Sequence, residues 1–374
     1  MTLGYTAEPA SAASLRPVEY DQITGWHADR HADALATFSR SCAKLLKSTR
    51  PMKIVGHKVS AKTIHKACRR ALVMTSNGSE RSARAFFEQY FAPHAVVSSP
   101  GDKGLFTGYF EPQYPGSRTR TLAYHVPLYR VPGDFKSARK PYLSRQQVEQ
   151  GGLDGRGLEL VYLNSAVDAF FTHVQGSARI SLTDGSVMRV GFAAKNGHPY
   201  TAIGKVLIDR AALRRENVSM QTIRAWLEQN PAEAQQVMWR NRSFIFFRET
   251  GLRNPQLGPT GAQGVNLDAL RSLAVDKSLY SYGIPMWLDT TLPAAAGSHA
   301  QTFQRLMVAQ DTGSAIKGAI RADVFVGTGG TAGEIAGRMK QQGSLIVLVP
   351  RAQPLARQMQ TDDAQPPPSG GKLK

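Results

Sequence analysis

The chain has 374 residues, more than a single growing core accommodates, so its length predicts two domains. Its composition, 42% hydrophobic and 8% aromatic with 34 glycines and 21 prolines, is that of a turn-rich globular protein rather than a fibrous or disordered one. A net charge of +18 and a pI near 10.1 imply an anionic partner, which nucleic acid, phospholipid or an acidic cell-wall polymer would satisfy.

Residues 1–18 are small, polar and aperiodic and are expected to be disordered. This start has neither the basic n-region nor the apolar core of a signal peptide, and no run reaches the roughly 18 apolar residues of a membrane span. Leu35, Phe38, Cys42, Leu45 and Leu46 recur at helical spacing, as do Ile64, Cys68, Ala71 and Leu72 over 60–75. A third helix follows the N-cap Ser79 and runs through Tyr90. The only cysteines, Cys42 and Cys68, lack metal-ligand spacing; buried free thiols are the expected reading, with a single disulfide as the alternative.

The pattern changes at GLFTGYFEPQ (104–113), a short aromatic strand. Further strands are expected at LYRV, at LELVYL after the loop GGLDGRG (151–157), and at IGKVLID (203–209). SAVDAFFTHVQGS reads as an amphipathic helix, and 178–192 as a hairpin turning at Asp184-Gly185. Two helices capped by Ser219 and by Asn230 with Pro231 precede the strand SFIFFRE (243–249). After the loop 254–264 come more strands, a small helix near TAGEIAGRMKQQ and a last strand, LIVLV, before a polar tail. The order suits a mainly β protein with peripheral helices and a middle β unit inserted into the main one.

The chemistry concentrates in residues 304–327, where apolar strands run into glycine turns carrying Asp311 and Asp323. Buried strand ends are where a carboxyl group keeps its proton. Hydrolysis of a glycosidic bond ordinarily needs two carboxylates, but one suffices when the substrate brings its own nucleophile. Asp311-Thr312-Gly313-Ser314 is similar to the aspartic-protease signature, yet it occurs once, so a protease would need a dimer; a turn-building role is the competing reading. Asp323 is flanked by Val324, Phe325 and Val326, which favours a raised pKa, while Arg321 falls on the same face of an ideal strand and opposes it.

Five segments in order carry a resemblance over roughly residues 85–350: FTGYFEP (106–112), VDAFFTHVQGSARI (167–180), NPQLGPTGAQGV (254–265), YSYGIPMWLDT (280–290) and AQDTGSAIKGAIRADVFVGTG (309–329). The chain resembles the membrane-bound lytic murein transglycosylase A family. The resemblance implies a double-psi β-barrel split in sequence (19–112 plus 250–352, with N-terminal helices), an inserted β domain (113–249), a groove between them, and disordered ends at 1–18 and 353–374. It implies cleavage of the β-1,4 bond between N-acetylmuramic acid and N-acetylglucosamine with formation of a 1,6-anhydro product. Asp323 takes the catalytic position by motif and Asp311 a supporting one; Thr107, Gly108 and Tyr109 are expected to line the groove, with Tyr282, Gly283 and Lys317 as further glycan contacts.

No metal or other cofactor is expected. The partners expected are peptidoglycan glycan strands, with cell-wall synthesis or division proteins as further candidates, and not nucleic acid; the chain is expected to act as a monomer in the periplasm, with outer-membrane association left open. Two alternatives stand beside this reading: an inverting hydrolase pairing Asp323 with Asp311 or Glu111, and a non-catalytic binder of cell-wall or nucleic-acid polymer. The scattered positive charge, without a basic helix, weighs against the nucleic-acid reading.

Overall fold

The computed structural model describes residues 13–74, 79–98, 103–252, 254–293 and 300–355. In chain order its first part comprises β1 (Ser14–Pro17), α1 (His31–Leu45), the hairpin β2 (Met52–Ile54) and β3 (His57–Val59), α2 (Ala61–Met74), α3 (Glu80–Tyr90), β4 (Phe91–Val97) and β5 (Gly104–Glu111). A middle part follows with β6 (Gln113–Ser117), β7 (Val126–Tyr129), the single turn α4 (Arg145–Gln147), β8 (Glu159–Leu163), α5 (Ala166–Gln175), β9 (Ser177–Leu182), β10 (Val187–Lys195), α6 (Ile203–Asp209), α7 (Met220–Gln229), α8 (Pro231–Trp239) and β11 (Ile245–Thr250). The last part holds β12 (Ser272–Val275), β13 (Pro285–Leu292), β14 (Gln301–Asp311), β15 (Arg321–Thr328), α9 (Gly330–Arg338) and β16 (Lys340–Pro350).

β5, β15, β12, β14, β13 and β16 pair in that order, and β16 pairs again with β5, so six strands close a barrel with β4 and β1 added at one edge. Closure removes the open edges a flat sheet would expose. Two pairs, β12 with β14 and β15 with β5, are parallel, which demands long crossovers. The crossover between β5 and β15 contains the whole middle part, whose strands form a separate six-stranded sheet ordered β11-β10-β9-β6-β8-β7. Only Pro112 separates β5 from β6.

Local chemistry explains the elements. The Ser79 hydroxyl accepts the Ser82 N–H and starts α3, whose Ala83, Phe86 and Phe87 turn inward onto Phe38 of α1. Residues buried on both faces of β15, Ala322, Val324, Phe325 and Val326, reflect a strand with barrel interior on one side and covering elements on the other. Gly327, at φ +141°, forms the bulge that shifts the β15–β5 register.

Four expectations are corrected, the last of them the state of the cysteines. Disorder over 1–18 gives way at its end, where Ser14–Pro17 pair antiparallel with His94–Val97 and half-buried Leu15 packs on the core; residues 1–12 lie outside the described ones. At the other end residues 353–355 are described, with the Leu355 N–H on the Gln89 carbonyl, and 356–374 lie outside. IGKVLID is helix α6 rather than strand, because Ile203 and Leu207, one turn apart, pack into a cluster with Leu227, Val237 and Met238.

Cys42 and Cys68 are joined by a disulfide between α1 and α2, their Cα atoms 5.2 Å apart, so the free-thiol reading does not hold. The bond closes a loop with a sequence separation of 26. Replacing both cysteines by alanine is expected to cost about 3 kcal/mol from loop entropy alone, measured as a lower urea midpoint. A midpoint equal to that of the parent would show the bond to be neutral.

Candidate functional site

Strand register sets the site. Ala274 of β12 pairs with Asp311 on one side and with Asp323 on the other, and Asp323 pairs in turn with Thr107 of β5. With neighbouring strands about 4.8 Å apart, the two aspartate backbones lie roughly 10 Å from one another, across a single strand. Twelve positions of sequence, including a turn, thus fold into one lateral row.

Asp323 and Arg321 do share a face. The strand does not bend to part them: Arg321 Nη1 donates to Asp323 Oδ1 at 2.9 Å, and Nη2 donates to Thr107 Oγ1 at 2.8 Å. The side chains are 19% and 15% exposed, so the pair is screened little by solvent. Burial pushes the Asp323 carboxyl up, the Arg321 guanidinium pulls it back, and the net direction is upward. Among the described residues, Asp323 Oδ2 has no hydrogen-bond partner. One carboxylate oxygen is therefore held and the other is free to carry a proton.

Asp311 is built differently. Its Oδ1 accepts the N–H groups of Ala262 and Thr312, both at 2.9 Å, and its Oδ2 accepts the Tyr109 hydroxyl at 2.9 Å. Burial raises its pKa, the three donors lower it, the charge of Asp323 adds a smaller rise, and the net direction is upward as for Asp323. Both oxygens are engaged, as in a carboxylate that organises a turn. Tyr109 packs its ring 5.4 Å from Phe325, and burial, then Asp311 and Asp323, push its phenol well up.

The other sequence-expected residues divide. Tyr282 is half-buried and close enough to Asp311 for that charge to add to burial in raising its phenol. A Cβ at Gly108 would meet the Ala336 Cα at 2.9 Å, so this glycine admits α9 rather than a ligand. Gly283, at φ +88°, is buried against Leu45 and likewise serves a turn. Lys317 is exposed, with Nζ 3.6 Å from Asp276. Glu111 is fully buried between Arg179 Nε at 2.8 Å and Arg189 Nε at 2.7 Å, which removes it as a second acid.

Sequence reasoning missed two residues of the middle part. Lys195 Nζ, at the end of β10, donates to Ser314 Oγ at 3.0 Å and joins the middle part to the barrel's Asp311–Arg321 loop. Tyr200 sits close enough to Asp323 for its phenol, raised first by burial and opposed by Arg145, to be raised further by that charge. Neither carries a motif; both come from loops or strand ends beside polar neighbours. They bring the middle part beside the Asp311–Arg321 loop and beside Asp323, whose Oδ2 is without a hydrogen bond among the described residues. Among the described residues no group of three or more His, Cys, Asp or Glu could hold a metal ion, and no helix is long and apolar enough to cross a membrane.

Two family models match the chain: the MltA specific insert domain over residues 105–248 and the 3D domain over residues 271–349. The chain is 38% identical over 246 residues to the membrane-bound lytic murein transglycosylase A of Escherichia coli K12, a stretch spanning 65% of either protein. It is 33% identical over 259 residues to the Vibrio cholerae protein of the same name, 68% of each chain. Among solved structures, a membrane-bound lytic murein transglycosylase from Agrobacterium tumefaciens superposes with a TM-score of 0.79 at 33% identity, covering 90% of this chain and 98% of that one. The Escherichia coli MltA structure with bound chitohexaose superposes with a TM-score of 0.67 at 29% identity, covering 92% and 95%.

Proposed function

The chain belongs to the membrane-bound lytic murein transglycosylase A family, and from that premise we propose that it cleaves the β-1,4 bond between N-acetylmuramic acid and N-acetylglucosamine in peptidoglycan, leaving a 1,6-anhydromuramyl end. The observation that carries the reading is the asymmetry in how the two aspartates are bonded: burial raises both carboxyls, but Asp323 keeps one oxygen without a hydrogen bond among the described residues, while both oxygens of Asp311 are taken. One competent acid suits a reaction in which no water need be activated. The chitohexaose held by the Escherichia coli relative supports a β-1,4-linked amino-sugar strand as the occupant of the groove. The domain division at 113 and 249 is proposed on the same footing.

Asp323 Oδ2 gives its proton to the glycosidic oxygen as the bond to the muramyl C1 breaks. The resulting carboxylate then takes the proton of the muramyl C6 hydroxyl as that oxygen closes on C1. Arg321 steadies the carboxylate form and makes the acid stronger, while burial keeps enough of it protonated. Tyr109 and Asp311 brace the strand ends from which Asp323 projects, and Thr107 fixes the far nitrogen of Arg321. Envelope action fits the membrane-bound relatives and the Cys42–Cys68 disulfide, since such bonds persist in oxidising compartments; we place the protein in the periplasm.

Digestion of purified sacculi followed by mass spectrometry tests the reading. Anhydro ends are expected, lighter by one water than the reducing ends a hydrolase makes; reducing ends alone would overturn it.

Replacing Arg321 by Met is expected to move the alkaline limb of the activity profile upward by about one pH unit or more, because the loss of a paired cation lets the Asp323 pKa rise further. A kcat/KM profile of anhydro-product formation reads this out. An unmoved limb would mean that the titrating group is not Asp323.

A further inference from the structure

The middle part contains a cavity of about 550 Å³ walled by β7, β8, α5, α8 and the 148–155 turn, and no residue of the Asp323 row lines it. Its walls include the rings of Tyr129, Tyr162, Trp239 and Phe244. Three carboxylates also face it. Glu149 is committed, with Oε1 on Arg145 and Oε2 accepting from Gln235 and Trp239. The other two, Asp154 and Glu159, have no side-chain partner among the described residues, and neither has the lining cation Arg120.

Two mostly buried side chains turn an unpartnered polar atom toward the cavity. Tyr129 is 5% exposed and its hydroxyl has no partner among the described residues. Burial pushes this phenol up to about 12, Asp154, Glu159 and Tyr162 adding to the rise and Arg120 opposing it, so all four groups lie around it. His173, 8% exposed, accepts the Ile245 N–H at Nδ1 (3.3 Å), which leaves a neutral ring with its proton on Nε2 and no acceptor for it among the described residues. Both donors open onto the cavity, where a bound ligand can meet them.

The charges select the ligand. Phosphate or another simple anion would meet Asp154 and Glu159, and a neutral sugar would leave all three charges unmatched. A pair of anions beside one cation, on aromatic walls, matches an ammonium and a carboxylate borne on one carbon with an alkyl stem behind it.

We propose that this cavity binds the zwitterionic α-amino-acid head of a peptide, its ammonium on Asp154 and Glu159, its carboxylate on Arg120 and its stem against Tyr129 and Tyr162. A diaminopimelate residue in a peptidoglycan stem peptide carries such a head at the end of its side chain, and the identity of the peptide rests on the function proposed above. A strand tethered here would be held by its peptide while its glycan lies in the groove, favouring peptide-bearing strands over bare ones.

The test is calorimetric titration of the full chain with a stem tripeptide ending in meso-diaminopimelate, free at its distal ammonium and carboxylate. The free tripeptide is expected to bind. N-acetylation of the distal amine, the double change Asp154→Asn with Glu159→Gln, and Arg120→Ala should each weaken binding about tenfold or more. Cleavage of peptide-free glycan strands by these variants should match the parent, which also certifies their folding. Binding indifferent to acetylation and to the variants, or no binding by a chain that cleaves sacculi, would overturn the site. Charge-dependent binding by a chain that leaves sacculi intact would uphold the site and sink the murein reading instead.

Discussion

Asp323→Asn is expected to cut the formation of anhydro ends by about a thousandfold, within the range that one general acid–base group supplies, while the unfolding midpoint stays near that of the parent. The amide keeps the shape and the acceptor for Arg321 Nη1 but has no proton to give at Oδ2's position. Asp323→Ala is a poorer probe, because it leaves a mostly buried guanidinium without its partner and mixes catalytic loss with instability. In the parent, burial dominates and raises the carboxyl, so its protonated form extends toward neutrality; activity should fall as pH rises through that elevated pKa. Asp311→Asn should lose much less, about tenfold, since the amide oxygen still accepts the Ala262 and Thr312 N–H groups and only the Tyr109 bond is compromised. Equal losses in the two variants would restore the two-carboxylate hydrolase reading.

The sequence made some of this visible because the signal was local. The hairpin turning at Asp184-Gly185, the Ser79 cap and the helix over Ala166–Gln175 depend on neighbours within a few positions, and the structure has them. Arg321 was visible too, as a cation two residues from the acid; what the spacing could not tell is that its second nitrogen would reach Thr107 across the parallel pair. IGKVLID misled because its β-branched and apolar residues favour a strand, while contacts with α7 and α8, far along the chain, decided for a helix. The cysteine pairing, the shared neighbour Ala274 of the two aspartates and the approach of Tyr200 all come from tertiary register, which no spacing along the chain records. Glu111 shows the same limit: in sequence it is one more carboxylate after an aromatic strand, and only the fold surrounds it with arginines from β9 and β10.

Glu111 is also where the largest loss of stability is expected. It is the last residue of β5, wholly buried, and ties the barrel to the second sheet through Arg179 and Arg189. Thr328 at the end of β15 donates to it at 3.0 Å, and the same arginines donate to the carbonyls of Pro255, Leu257 and Gly258, where the chain returns toward the barrel. Both crossings between the two units therefore meet at one carboxylate. Glu111→Ala leaves two cations in a dry junction with only neutral acceptors, a loss of about 3–5 kcal/mol by denaturant titration. Because the pair's cost lies in uncompensated charge, Glu111→Met combined with Arg179→Leu and Arg189→Met should recover a good part of that stability. It should not recover catalysis to the same degree, since the junction sets how the middle part, with Lys195 and Tyr200, stands over Asp323. A single variant that costs less than about 1 kcal/mol, the size of an exposed pair, would show that the clasp does not hold the two sheets together.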